Sequence, residues 1–395
     1  MKILILTPFL PYPPQAGNRL RAFHWLSYLR KKHQIYLVSF IESINENSYL
    51  KNLMEYCADI ITVLRRPKCG FMYRVMNLFK KPPYFIVEQF KSSTMQESIT
   101  RLLENNRFDL ILVSSLAMLQ YVDNVKGINK ILDSVDCITR NYSQSWKVNT
   151  GFMDRIKSSI DYRKIREYEV SLHTKVDRCI VATSEDREFL ECISPGLIVR
   201  IIPNGVDSEY FSPQPVEEDF PSLLFFGDMS YTPNKDAVVY LCLKILPLVK
   251  SSFPKLRVYI VGKNNPKINK CIPHEKGVII TGFVEDIRIF LSKASVSVCP
   301  MRIGTGIKNK VLEAMAMGKA VVSSSIGKEG IEASNGKDIL IADSHESFAQ
   351  RITELLRDKN LREKIGRNAR ELMEKNHQWE MQAQKIEAVF QELQI

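Results

Sequence analysis

Short aliphatic runs separated by helical patterns set what this chain can fold into. In the first half they are Lys2–Thr7, Gln34–Phe40, Asp59–Leu64, Asp109–Ser114, Lys130–Asp133 and Arg178–Ala182. In the second half they are Ser222–Phe226, Arg257–Val261, Val278–Thr281, Val296–Cys299, Ala320–Ser323 and Asp338–Ile341. These runs lack the strict polar alternation of a half-exposed strand, so they read as strands buried on both faces. Helices between such strands make the sheets parallel and doubly wound, which places the chain in the α/β class. A length of 395 residues suffices for two cored domains. The expected division is 1–202 and 203–375, with the ligand in a crevice outside the C-terminal ends of the strands.

One stretch concentrates chemistry. From Val298 to Ser323 the sequence reads VCPMRIGTGIKNKVLEAMAMGKAVVSS around a Gly304-Thr305-Gly306 loop. The pattern predicts a helix from near Ile307, closed by Gly318, then a short strand. On that helix Asn309, Lys310 and Glu313 share a narrow polar stripe, with Lys308 apart from it. Two lysines in a first turn oppose the positive end of the helix dipole, whereas a phosphate or diphosphate there satisfies both. Glu313, an acceptor-only group one turn on, suits hydroxyls of a ribose or sugar. A plain ion pair between Lys310 and Glu313 at i,i+3 explains the same residues equally well.

The formal charge is +11, and residues 1–202 carry 29 Lys+Arg against 20 Asp+Glu. Such an excess attracts an anionic partner, with membrane lipid, lipid phosphate and nucleic acid as candidates, or merely solubilises the surface. The eight cysteines are scattered without CxxC or His-rich spacing. They read as reduced core residues of a cytoplasmic protein rather than a zinc site or disulfide frame. MKILILTPFLPYPP is too short an apolar run to span a bilayer and reads as a first buried strand.

Three weaker features stand in the first half. The proline-rich loop after the first strand ends in Gly17, Asn18 and Arg19 before a helix expected over Arg19–Arg30, where Gly17 and Arg19 suit a phosphate or sugar. Residues 65–91 mix Arg65, Arg66, Lys68, Arg74, Lys80 and Lys81 with Phe71, Tyr73, Phe79 and Tyr84. That composition suits either peripheral contact with an anionic membrane or a solvated helix. No RNP, helix-turn-helix or zinc-finger pattern accompanies it, which argues against nucleic acid. Asp133 and Asp136 follow the fifth strand, positioned either to meet an acceptor hydroxyl or to form turns and caps.

Several strings line up in order: Arg166-Glu-Tyr-Glu169, VDRCIVATSEDREFL from Val176, IPNGVD from Ile202 and FFGDMSYTPNKDAV from Phe225. VYIVGK, ITGFVEDI, the 298–323 stretch and Gln378-Trp379-Glu380 follow. The chain resembles glycosyltransferase family 4, retaining sugar-nucleotide transferases of the GT-B fold, with two Rossmann-like domains facing a central crevice. Its G-x-M-x-x-x-PN string looks closest to the subgroup of exopolysaccharide and exosortase-associated loci.

The resemblance implies an enzyme, free in the cytoplasm or peripheral to the inner face of the cell membrane, that moves a sugar from a nucleoside-diphosphate sugar to a glycan or lipid-linked acceptor. It implies no cofactor and no metal. Donor binding maps to Gly17, Arg19, Gly227, Phe283, Val284, Gly304, Thr305, Gly306, Ile307 and Glu313. Catalysis maps to Lys308, Lys310 and Glu313, and the acceptor side to Asp133 and Asp136. Where relatives carry the first glutamate of an E-x7-E pattern this chain has Thr305, and where many have a basic pair it has Asp228 and Asn234. Diphosphate neutralisation is then expected from Lys308 and Lys310. Residues 376–395 resemble the helix that returns to the first domain, with hinges near Pro203 and Gln378. A sugar-nucleotide epimerase and a non-catalytic glycan- or membrane-binding relative are the competing functions.

Overall fold

The computed structural model describes residues 1–14, 17–66, 87–146, 152–263, 272 and 276–393. It divides into two compact units, Met1–Ile202 with Gln382–Ile395, and Pro203–Met381.

The first unit holds β1 (Lys2–Thr7), β2 (Gln34–Ile41), β3 (Asp59–Leu64), β4 (Leu110–Ser114), β5 (Asn129–Val135), β6 (Arg178–Val181) and β7 (Val199–Ile201). They form one parallel sheet in the order β3-β2-β1-β4-β5-β6-β7. Successive side chains on each strand enter opposite cores. Leu4 and Leu6 join Val38, Phe40, Ile111 and Val113 on one face. Ile3 and Ile5 join Leu37, Leu110 and Leu112 on the other. Both faces are covered, so the strands have no polar side to show, which is why they read as continuous apolar runs.

Helix α1 (Gly17–Leu29) covers the second face with Trp25, Leu26 and Leu29. It begins two residues earlier than the sequence suggested. Helix α2 (Ser93–Asn105) covers the first face with Met95, Ile99 and Leu102, spaced at i, i+4 and i+7. Strand β7 was not anticipated. Its three residues lie between Pro195-Gly196 and Pro203, too short a run to carry a periodic signal.

The second unit holds β8 (Ser222–Phe226), β9 (Arg257–Val261), β10 (Val278–Gly282), β11 (Val296–Cys299), β12 (Val321–Ser323) and β13 (Leu340–Ile341). Its sheet is also parallel, in the order β10-β9-β8-β11-β12-β13. Helix α3 (Asn309–Ala316) packs Val311, Leu312, Ala314 and Met315 into the core. Helices α4 (His345–Arg357) and α5 (Lys359–Asn376) enclose it with Phe348, Ile352, Ile365 and Met373. Both are capped, α4 by Ser344 and α5 by Asp358. The last helix, α6 (Trp379–Gln391), places Trp379 against Gly205 in the second unit and Ala383, Ile386, Val389 and Phe390 in the core of the first.

Cys137, Cys179, Cys242 and Cys299 are buried, Cys57 is half-buried and Cys192 is exposed. Cys69 and Cys271 fall outside the described residues, as does most of the basic aromatic segment 65–91, of which 67–86 are not described. Among the described residues no helix is long and apolar enough to cross a membrane.

Helix α3 ends in a Schellman motif. The Lys319 amide donates to the Ala314 carbonyl at 3.0 Å and the Gly318 amide to Met315 at 2.9 Å, with Gly318 at φ +68°. Gly366 of α5 lies directly beneath, where a Cβ would stand 2.1 Å from the Gly318 carbonyl oxygen. Gly366→Ala therefore forces α5 away from the end of α3. The cost is about 1–3 kcal/mol, a fall of roughly 4–8 °C in unfolding temperature for 2 kcal/mol. A calorimetric scan unchanged by this substitution would show that the two helices separate without cost.

Candidate functional site

In the second sheet the chain runs from β8 outward through β9 to β10, then crosses back to place β11 on the other side of β8. The loops after β8 and β11 therefore diverge at the C-terminal edge, the position where doubly wound sheets bind ligands. The first loop is Gly227-Asp228 and the second is 300–308.

Gly227 has φ +150°, and a Cβ on it would lie 2.8 Å from Asn234 Nδ2 and 3.0 Å from Lys310 Nζ. Only glycine lets those two side chains close over the strand end. Lys310 Nζ donates to Asn234 Oδ1 at 2.5 Å, and Asn234 Nδ2 donates to the Asp228 carbonyl at 2.8 Å. The ammonium also lies 4.3 Å from the centroid of the Phe225 ring. Desolvation brings the Lys310 ammonium down to about 8, with Lys308 contributing and Cys299 and Glu313 opposing. Burial pushes the Glu313 carboxyl up to about 7, opposed by Lys310. Both side chains are half-buried, so they are sunk among protein atoms yet reachable. No ion pair forms between them: Lys310 turns to Asn234, and no hydrogen bond to the Glu313 carboxylate occurs among the described residues. The i,i+3 pair is thus replaced by two separate polar groups, each open to a ligand.

Lys308 behaves differently from the sequence expectation. Helix α3 starts at Asn309, so Lys308 is its extended N-cap residue rather than part of its first turn. Its ammonium folds back onto the loop, donating to the carbonyls of Gly304 at 3.2 Å, Thr305 at 3.1 Å and Gly306 at 2.5 Å. Three ammonium protons meet three carbonyls, so Lys308 ties the loop together. Gly304 and Gly306, both at positive φ, allow the bend. Thr305 is 6% exposed, and its hydroxyl oxygen has no hydrogen-bond partner among the described residues. An unmet buried hydroxyl costs about 1–3 kcal/mol, a local expense at the tip of this loop. Ile307 packs on the core. Asn204, from the IPNGVD string, donates to Asn309 Oδ1 at 2.9 Å and so anchors the start of α3. Phe283, 71% exposed, follows β10 at the same edge of the sheet, with Val284 packed on the core beside it.

The first unit corrects the acceptor-side reading of Asp133. Its carboxylate is fully buried, held by Arg21 Nε at 2.8 and 3.0 Å and by Trp25 Nε1 at 2.7 Å. Arg21 also donates to the Ile202 carbonyl at 2.8 Å. With both oxygens committed, Asp133 has no face for an acceptor and instead fastens α1 across β5. Asp136 is half-buried beyond Val135, which has φ +65°. Gly17 opens α1 in an exposed position. Arg19 is engaged by Glu46 at 3.0 Å and Glu42 at 3.7 Å. Phe225 and Arg21 escaped the sequence reading, which met Asn234 only as a residue in place of a basic pair. A visible signal existed only for Arg21, a cation one turn before Trp25 on an apolar helix face. Among the described residues no group of three or more His, Cys, Asp or Glu is placed to hold a metal.

Residues 220–358 match the family described as "Glycosyl transferases group 1". An "Uncharacterized 44.6 kDa protein in cps region" of Klebsiella pneumoniae is 23% identical over 95% of this chain and 96% of its own length. Sucrose-phosphate synthase from Thermosynechococcus elongatus superposes with a TM-score of 0.75 at 16% identity, covering 100% of this chain and 99% of that one. Anabaena HepE, solved in complex with UDP, gives 0.70 at 14% identity over 99% and 100%. The chain has the GT-B fold, and the match to the group 1 glycosyltransferases lies within its second unit.

Removing Asp133 strands Arg21 in the interior, a change that costs about 3–5 kcal/mol. Asp133→Ala is therefore expected to unfold the first unit at markedly lower denaturant. A variant of normal stability that had lost only its affinity for an acceptor would restore the acceptor-side role.

Proposed function

We propose that this chain, with its match to the group 1 glycosyltransferases and its GT-B fold, transfers a sugar from a nucleoside-diphosphate sugar to a glycan or glycolipid acceptor with retention of configuration. The observation that carries the reading is Lys310: a half-buried ammonium held at the switch point of the second sheet by Asn234. Glu313 lies one turn along the same helix. The ammonium faces the diphosphate, and its positive charge stabilises the negative charge that grows as the nucleoside diphosphate departs. Glu313 accepts hydroxyls of the ribose. Lys308 holds the loop closed around the Gly304–Gly306 backbone, so its contribution is to shape the site. With retention, the departing phosphate takes the acceptor's proton, and no separate protein base is required. A UDP-linked donor is the first to try, since HepE was solved with UDP. The cps region named for the Klebsiella relative agrees with a glycan acceptor.

Replacing Lys310 with methionine keeps most of the stem and removes the charge. Loss of a charge-assisted contact weakens nucleoside diphosphate binding by about 10- to 100-fold. Lys310→Met and Glu313→Gln are each expected to abolish transfer with little change in thermal unfolding, and transfer at the wild-type rate in either would remove that residue from the site. Donor consumed equally fast without acceptor would replace transfer by epimerisation or hydrolysis.

The pH profile follows from the same pair. Lys310, lowered to about 8, is charged below that pH, and Glu313, raised to about 7, is charged above it. Both are ionised together only in the interval between. The kcat/KM for donor is expected to be bell-shaped with its maximum near pH 7.5, roughly midway between those values. Lys310→Arg should move the alkaline limb out of range while the acid limb stays in place. A flat wild-type profile from pH 6 to 9 contradicts the assignment.

A further inference from the structure

The first unit contains a cationic recess of its own. At the C-terminal ends of β2 and β3 there is a cavity of about 450 Å³. Arg65 and Arg66 enter it from the end of β3, and Lys91 from the segment before α2. None of the described lining residues is acidic. Arg65 is immobilised: its guanidinium lies 5.5 Å from the Phe9 ring and 4.8 Å from the Phe90 ring, with one arm on Glu42 at 2.7 Å. Arg66 is exposed and has no hydrogen bond or ion pair among the described residues. Lys91 is 64% exposed and touches Glu88 only at 3.5 Å.

The N-terminus of α2 opens into the same recess. Ser92 caps the helix by accepting from the Met95 amide, and the next two residues, Ser93 and Thr94, line the cavity. Their amides find no acceptor among the described residues, as the first turn of a helix requires. A helix of 13 residues adds its partial positive charge at this end. Backbone donors and three cationic side chains thus converge on a recess large enough for a sugar phosphate or a headgroup. A merely solvated basic face gives neither the concavity nor the donors. A single carboxylate leaves most of this positive charge unmet, whereas a phosphate presents enough oxygens to meet both the amides and the side chains.

We propose that this cavity binds a phosphate-bearing ligand, a phosphomonoester or diphosphate. The inference concerns the first unit alone and stands apart from glycosyl transfer.

Titration calorimetry of the full chain with inorganic pyrophosphate at low salt tests it. The Lys310→Met background removes the seat proposed in the second unit. In that background pyrophosphate is expected still to bind, and adding Arg66→Ala with Lys91→Ala should weaken it at least tenfold. Both residues are exposed, so the unfolding temperature should hold. No binding in Lys310→Met, or binding unaffected by the added pair, overturns the proposal. Sedimentation with vesicles of phosphatidic acid in phosphatidylcholine, against phosphatidylcholine alone, names the source. Pelleting abolished by the Arg66→Ala, Lys91→Ala pair assigns a lipid headgroup. Pyrophosphate binding without pelleting assigns a soluble phosphate.

Discussion

The second unit is organised around the difficulty of keeping one ammonium charged where water is scarce. Lys310 loses solvation, and the protein offsets that loss with an amide oxygen from Asn234 and the face of Phe225. Each partner belongs to a different piece of chain, and the sheet order brings them together. Phe225 is the next-to-last residue of β8, Asn234 follows the next turn, and Lys310 arrives after β11 has crossed back beside β8. The glycine at 227 is the vacancy that lets them meet. Without an anion, the arrangement leaves Lys310 short of its ordinary basicity. An anion beside the ammonium would favour its charged form and offset that loss.

Much of the architecture was legible because burial on both faces leaves a plain mark. Lys2–Thr7, Asp59–Leu64, Ser222–Phe226, Arg257–Val261 and Val296–Cys299 coincide with observed strands residue for residue. What failed was the fate of individual charges. The reading gave Lys308 to a ligand because a first-turn lysine opposes the positive end of the helix dipole. Nothing local announced that the preceding three carbonyls would turn inward to meet it. Asp133 looked available because its partner Arg21 lies 112 residues earlier. Ion pairs of that range depend on packing, and a one-dimensional pattern carries no trace of them. Asn234 was noticed only as a departure from a basic pair. Its role is to orient a lysine supplied from elsewhere in the domain.

A cation placed on the helix after β11, steadied by an amide after β8, supplies charge to the same edge of the sheet as a basic pair after β8 would. Thr305 presents a short hydroxyl where a longer acid was expected, buried and without a hydrogen-bond partner among the described residues.

Helix α6 bears on how the protein comes into being. The core of the first unit includes Ala383, Ile386, Val389 and Phe390, although the sheet they cover is built from residues before 202. During synthesis that sheet emerges early and waits, with one apolar face incompletely covered, until α6 leaves the ribosome. The second unit has every strand in hand by Ile341 and its helices by Asn376. The domain made first is therefore the domain finished last, and nascent chains halted short of α6 expose a surface suited to chaperones.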